Sequence, residues 1–171
     1  SELASNHIKT LSSSLCSGDL LIVLISGGGS ALLTSPVPPV TMDEKVKVIK
    51  LLQCSGADIK ELNCVRKRLS QLKGGKLLDL AYPATVLSFI LSDIVGDPLE
   101  FIASGPTVIN RDSSDEALGI IEKYSLFNHL PRSVQNVLCE PMSNIYCNTE
   151  ANNLIIGSNK IALHHASIEA T

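Results

Sequence analysis

The 171-residue sequence contains no tryptophan, and its aromatic content is only 4%. Proteins that hold single-stranded nucleic acid stack the bases on aromatic side chains, so this composition argues against that class. Positive charge is also lacking, because the formal net charge is −3. A chain that binds nucleic acid through its phosphates usually carries an excess of Lys and Arg. The sequence therefore predicts no nucleic-acid partner.

Long apolar runs and paired cysteines are missing as well. No stretch reaches the roughly 18 apolar residues of a membrane span, and no secretory signal opens the chain, so no membrane partner is predicted. The five cysteines are an odd number without C-x-x-C spacing, and we interpret them as buried, reduced thiols of an intracellular protein. They are Cys16, Cys54, Cys64, Cys139 and Cys147.

The stretch LLIVLISGGGSALL, Leu20 to Leu33, organises the rest of the chain. Its apolar first half predicts a parallel strand buried on both faces. Three glycines follow, and they let the backbone approach an anion at the sheet edge where α/β proteins bind ligands. The alternative is a tight turn with no ligand. A dinucleotide fingerprint would need a glycine at Leu32, no Gly-Lys-Ser/Thr follows, and the G-x-S-x-G of serine hydrolases is missing, so the ligand is not named by this motif.

Two more strands are predicted, Thr85–Asp93 (TVLSFILSD) and residues 154–159 (LIIGSN). Helices are predicted over residues 2–15 and after the capping boxes that begin at Thr41 and Asp58. This alternation predicts an α/β fold, a Rossmann-like parallel sheet with helices on both faces, within an incomplete single domain. The chain starts at Ser1 in one helical pattern and stops in another, which suggests a segment of a longer polypeptide.

Charged and hydroxyl side chains follow the second strand. Asp93 stands at the strand's carboxyl tip, where a carboxylate can hold Mg²⁺ or accept a hydroxyl proton. Asp97 lies past Gly96, and a turn there would bring the two carboxylates together, although capping the turn is the favoured role of Asp97. The loop Ser104–Thr107 can orient a polyol or carboxylate together with the Ser30 hydroxyl.

Five of the chain's fourteen basic residues fall within eleven positions. The first three, Arg66 to Arg68, are interpreted as a solvated helix face. Lys73 precedes Gly74 and Gly75, where a backbone can fold onto a phosphate and the lysine can supply charge. A helix break with an exposed lysine is the open alternative. Together with the two strand-end loops, this inventory suits phosphoryl transfer to a small, oxygen-rich acceptor.

Three motifs, SGGGSALL, KRLSQLKGGKL and SDIVGDPLEFIASGPT, resemble in order and spacing the class II glycerate kinases of the MOFRL-associated family. The resemblance implies ATP-dependent phosphorylation of D-glycerate to 2-phosphoglycerate with Mg²⁺, in a cleft between two domains. It also implies that residues 1–171 are part of the N-terminal α/β domain and that the second (MOFRL) domain is absent. The cysteine content is similar to that of an animal member from the cytosol or the mitochondrion. The oligomeric state is not predicted.

The predicted site follows from the matching positions. Asp93 and Lys73 are the predicted catalytic residues, and Asp93 is also the predicted metal ligand. Nucleotide or substrate binding is predicted for Ser26, Gly27, Gly28, Gly29, Ser30, Gly74, Gly75, Asp97, Ser104, Gly105, Pro106 and Thr107. Since the family's other catalytic contributors would lie outside these residues, the isolated segment is expected to be inactive. The alternative is a non-catalytic α/β module, or a truncated product, that binds a small phosphorylated or acidic metabolite.

Overall fold

The computed structural model describes residues 2–110, 112, 114–141 and 151–169. In chain order the elements are α1 (Glu2–Ser13), β1 (Leu20–Ile25), α2 (Gly29–Leu32), α3 (Met42–Cys54), α4 (Ile59–Arg68), α5 (Lys76–Ala81), β2 (Thr85–Leu91), α6 (Ser114–Lys123), α7 (Arg132–Cys139), β3 (Ala151–Gly157) and α8 (Asn159–Glu169), with 3-10 turns at Ile102–Ser104 and Phe127–His129. None of the helices within these ranges is long and apolar enough to cross a membrane.

The three strands form one sheet in the order β1-β2-β3, and both pairings are parallel. The predicted α/β fold with a parallel sheet is therefore confirmed. Two boundaries differ from the prediction. The second strand ends at Leu91, which leaves Asp93 in the loop, and the third begins at Ala151, three residues before the predicted start.

The prediction that β1 is buried on both faces is wrong for this structure. Leu21, Val23 and Ile25 point toward the core, but the alternate residues Leu20, Ile22 and Leu24 are exposed. The face of the sheet that carries these exposed residues extends across β2 to β3. We call this surface the outer face; its exposed members are Leu20, Ile22, Leu24, Leu91, Leu154 and Ile156. An apolar run makes a strand suitable for burial on two sides, yet the described part of the chain covers only one.

The largest cluster of buried side chains lies among the helices and not on the sheet. Val48, Leu52, Val65, Ile121 and Val134 have no exposed surface and join α3, α4, α6 and α7. The helices begin where the sequence predicts. Thr41 and Asp58 both complete capping boxes, with the Glu side chain three residues on returning to the backbone N–H of the cap.

In the basic stretch at the end of α4, Lys67 and Arg68 are buried and Arg66 is half-buried, so the interpretation of all three as a solvated face is wrong. Lys67 donates to Asn110 Oδ1 at 2.9 Å and pairs with the Asp112 carboxylate. Arg68 donates through Nη2 to the backbone carbonyls of Val137 and Glu140, and this ties α4 to the end of α7. These cations are buried because each finds an oxygen partner far away along the chain.

The cysteines were predicted to be buried, and this is wrong for three of them. Cys64 is buried, and burial raises its pKa to about 12. Cys16, Cys54 and Cys139 are exposed, and all four are free thiols. Cys147 lies outside the described residues.

Candidate active site

The loop after β1 meets the loop after β2 at the carboxyl edge of the sheet. A Cβ atom added at Gly27 would lie 2.1 Å from a carboxylate oxygen of Asp93, so the Asp93 side chain rests directly on the Gly27 backbone. Only glycine allows this approach. The Asp93 side chain is otherwise exposed. A single carboxylate thus stands next to the glycine run, as the sequence predicts for neighbouring strand ends.

The glycine run keeps part of its backbone available. Ser26 is exposed, and its carbonyl accepts from the Gly29 N–H at 3.3 Å. Gly28 adopts a left-handed conformation with φ of 75° and precedes α2. Across the part of the chain that the structure describes, no acceptor is found for the N–H groups of Gly27 and Gly28. Two adjacent unpaired amides beside a carboxylate are a suitable place for a phosphate bridged to a metal ion.

Lys73, Ser30 and Ser104 form one hydrogen-bonded group. The Lys73 Nζ donates to both the carbonyl oxygen and the Oγ of Ser30, the latter at 2.9 Å. The Ser30 Oγ lies 2.7 Å from the Ser104 Oγ. Lys73 is 3% exposed, so the alternative of an exposed lysine at a helix break is wrong. The structure therefore brings three predicted site residues together from three separate segments.

The group continues to two residues that the sequence motifs did not single out for the site. Ser104 Oγ donates to Asn63 Oδ1 at 3.4 Å, and the same oxygen accepts from Arg66 Nη1 at 3.3 Å. The sequence predicts a solvated face for Arg66 and no role for Asn63. A helical count reveals them, because Leu62, Val65 and Leu69 mark the inward side of α4 and Asn63 and Arg66 flank it.

Gly74 and Gly75 hold the loop that follows β2 in place. The Gly74 N–H donates to the Ser104 carbonyl at 3.0 Å, and the Gly75 N–H donates to the Gly105 carbonyl at 2.8 Å. Both amides are therefore occupied. Their contact with a nucleotide or substrate stays a prediction, while their pairing with this loop is a structural role that the sequence did not predict.

The remaining loop residues are divided between different surroundings. Ala103, Ser104 and Gly105 all have positive φ, and Ser104 is fully buried; strained backbone of this kind often accompanies functional sites. Thr107 instead pairs with Asn153 of β3, through Oγ1 at 2.8 Å and through its carbonyl at 3.0 Å. Pro106 lines an apolar groove. The structure therefore does not bring Thr107 to the Ser30 hydroxyl.

Asp97 forms a turn, with φ of 53° and its N–H donating to the Ile94 carbonyl at 3.1 Å. This agrees with the turn-capping alternative. Within the described ranges no three His, Cys, Asp or Glu side chains are grouped for a metal ion. A Mg²⁺ ion at Asp93 would need oxygens from a nucleotide, and Mg²⁺ in kinases is commonly held by one or two carboxylates plus phosphates. The single carboxylate fits that arrangement.

Burial, together with the positive charges of Lys45 and Arg66, lowers the pKa of Lys73 to about 7. Burial likewise lowers the pKa values of Lys45 and Lys76 to about 8. The unfolded chain keeps these protons up to the ordinary lysine pKa, so between pH 7 and 9 it binds more protons than the folded chain. The free energy of unfolding is therefore expected to rise with pH in this window.

Urea unfolding at several pH values measures this slope, and Lys73→Met should reduce it by about one proton, or roughly 1.4 kcal/mol per pH unit. The window stops near pH 9 because the raised pKa of Cys64 acts in the opposite direction above it. An unchanged slope in Lys73→Met would contradict the depressed pKa. Lys47→Met, on the exposed side of α3, is the control.

A domain of unknown function, DUF4147, matches residues 1–139 of this chain. The chain belongs to this MOFRL-associated family. Among similar proteins, glycerate kinase of Rattus norvegicus is 53% identical over 171 residues, which cover 98% of this chain and 32% of that protein. A putative hydroxypyruvate reductase of Agrobacterium vitis is 51% identical over 120 residues, 70% of this chain and 31% of its own length.

A solved structure gives the same family relationship. The crystal structure of glycerate kinase from Thermotoga maritima is 34% identical, with a TM-score of 0.88 over 96% of this chain and 39% of that chain. The expected resemblance to glycerate kinases is confirmed. The DUF4147 chain spans about a third of the length of the curated relatives that it matches.

Proposed function

We propose that the protein carrying this chain is a kinase that transfers a phosphoryl group from ATP to D-glycerate and forms 2-phosphoglycerate. The observation that carries the proposal is the contact of the Asp93 carboxylate with the Gly27 backbone, beside the hydrogen-bonded group of Lys73, Ser30 and Ser104. The similar proteins named glycerate kinase support the choice of acceptor. This chain would supply one wall of the cleft as part of the N-terminal domain.

Each group has a role that suits phosphoryl transfer. The unpaired N–H groups of Gly27 and Gly28 would donate to phosphate oxygens. Asp93 would hold Mg²⁺, which when bound neutralises charge on the phosphate oxygens, or would accept the proton of the acceptor hydroxyl. Lys73, fixed by Ser30, would face the charge that develops on the transferred group.

The name of the Agrobacterium vitis protein suggests a reductase as a second candidate. A hydroxypyruvate reductase would bind a nicotinamide dinucleotide. The G-x-G-x-x-G motif of such sites is missing after β1, where Leu32 stands in place of the third glycine. We therefore favour the kinase. Oxidation of NADH or NADPH with hydroxypyruvate is expected to be undetectable, and a measurable rate would favour the reductase.

The decisive experiment follows the reaction of the full-length protein with Mg-ATP and D-glycerate by ³¹P NMR. Formation of 2-phosphoglycerate supports the proposal, and 3-phosphoglycerate or simple ATP hydrolysis contradicts it. A titration with ATP separates the kinase from a non-catalytic binding module. A kinase site binds ATP more tightly with Mg²⁺ than without it, and Asp93→Ala should abolish that difference.

Residues 1–171 alone are expected to show no phosphorylation of glycerate. The chain covers about a third of its curated relatives, and the proposed cleft needs a second wall from another domain. The same ³¹P measurement on the 171-residue chain tests this, with the full-length protein as the positive control. Turnover by the isolated chain would contradict the two-walled site.

The location of the protein in the cytosol or the mitochondrion stays a prediction.

A further inference from the structure

Lys45 is a buried lysine without a hydrogen-bond partner. It lies on α3 on the same side as Val48 and Leu52, and it is only 6% exposed. Over the ranges that the structure describes, its Nζ reaches no acceptor. Lys47 and Lys50 of the same helix are exposed to water. An ammonium group taken out of water without a partner is unfavourable, so its retention in the core requires an explanation.

Lys67, which is buried, and Lys76, which is half-buried, show how other lysines of this region are paired. Lys67 pairs with Asn110 and Asp112. Lys76 donates to three backbone carbonyls at the end of α4, those of Lys67, Arg68 and Ser70. Among the described residues, no carboxylate or carbonyl oxygen pairs with the Lys45 Nζ. The difference indicates that its partner is not part of the described protein.

Lys45 shares its region with two further cations, because α4, which carries Arg66, packs against α3, and hydrogen bonds join Arg66 to Lys73. Arg66 and Lys45 both act on Lys73 to lower its pKa, and Arg66 lowers the pKa of Lys45, in each case after the larger effect of burial. No carboxylate offsets either lysine in these interactions. Arg66 and Lys73 are joined through Asn63, Ser104 and Ser30 by the hydrogen bonds described above. Two buried lysines and a half-buried arginine, with no carboxylate among these interactions, form a site that attracts an anion.

We propose that Lys45, Arg66 and Lys73 form an oxyanion subsite, in which the Lys45 Nζ donates to a carboxylate or phosphoryl oxygen of a small-molecule substrate. The inference rests on the proposed kinase function for the source of the anion, since both the acceptor and the nucleotide carry such oxygens. It assigns Lys45 a binding role that the three sequence motifs do not contain. The charge is kept in the folded protein because the ligand provides its partner.

The test compares thermal unfolding of the full-length protein without anion, with D-glycerate alone and with inorganic phosphate alone. The variants are Lys45→Met, which keeps the length of the side chain but removes the charge, and Lys47→Met as the exposed control on the same helix. Lys45→Arg restores a cation. The wild-type protein is expected to unfold at a higher temperature in the presence of at least one of the two anions, because the anion binds the folded state.

Lys45→Met is expected to raise the unfolding temperature without anion, since it removes an uncompensated buried charge. It should also weaken anion binding by at least about tenfold in Kd. Lys45→Arg should retain the anion effect, and Lys47→Met should behave as wild type. A response to D-glycerate identifies the carboxylate as the ligand group, and a response to phosphate identifies the phosphoryl group.

Two results would overturn the subsite. One is a wild-type protein that responds to neither anion. The other is a Lys45→Met protein that unfolds at a lower temperature yet keeps the full anion effect, which would make Lys45 a structural residue. An intact, Lys45-dependent anion effect in a protein that forms no phosphoglycerate would contradict the proposed kinase function and leave the subsite standing.

Discussion

Replacing Asp93 by Asn is expected to lower the kcat for glycerate phosphorylation by about 10²- to 10³-fold, the usual loss when one electrostatic group of a catalytic site is removed. The amide keeps the size of the side chain but neither holds Mg²⁺ strongly nor accepts a proton. Because the Asp93 side chain is exposed, the folded protein should keep its stability. The measurement is steady-state kinetics of the full-length protein at saturating Mg-ATP.

A second variant tests the position of the carboxylate and not its presence. Gly27→Ala keeps Asp93, but the new methyl group would lie only 2.1 Å from a carboxylate oxygen of Asp93 and would clash with it. The flexible Asp93 side chain can move, so the expected loss is again in kcat. Glu122→Gln, an exposed carboxylate on α6, is the control and should have wild-type kinetics. Full activity in both Asp93→Asn and Gly27→Ala would remove Asp93 from the site.

Gly75→Ala is expected to destabilise the full-length protein by about 2–4 kcal/mol. Gly75 has φ of 79°, which strains any L side chain, and its Cβ atom would lie 2.8 Å from the backbone carbonyl oxygen of Val108. A backbone atom cannot move aside as a side chain does. The free energy of unfolding in urea, at constant pH, measures the loss.

Gly28 provides a matched control for the same substitution. It also precedes a short helix, its φ and ψ of 75° and −12° are close to the 79° and −6° of Gly75, and nothing lies within 4 Å of its Cβ position. Gly28→Ala therefore carries the backbone strain alone, about 1 kcal/mol. Equal losses in the two variants would mean that the contact with Val108 has no energetic effect.

Local patterns were sufficient for much of the fold. Both capping boxes begin helices at the predicted residues, Thr41 and Asp58, because a cap depends only on side chains three residues apart. The loops after β1 and β2 also meet, as the carboxyl ends of neighbouring parallel strands require. The exposure of β1 on its outer face was not predictable, since it depends on which segments cover the sheet and not on the strand itself.

The charged part of the site was harder to predict because charge by itself indicates solvent exposure. Arg68 and Lys67 are buried only because oxygen atoms some 40 to 70 positions away along the chain meet them. Such partners leave no local signal. Lys45 does leave one, because it stands three and seven positions before Val48 and Leu52 on the buried side of α3. The surroundings of a glycine are equally hard to predict from the sequence. Gly27 faces the carboxylate of Asp93, whereas Gly75 faces the backbone carbonyl of Val108.

The outer face has a consequence for how the 171-residue chain behaves in solution. β1 is one of the two edge strands of the described sheet, its sequence LLIVLI carries no charge and no proline, and Leu24 is 78% exposed. An uncharged edge of this kind pairs readily with another strand, and contiguous exposed apolar surface promotes association. Produced without a covering segment, the chain should therefore form oligomers and precipitate as its concentration rises. Replacing Ile22, in the middle of β1, by a charged residue is expected to keep the chain monomeric.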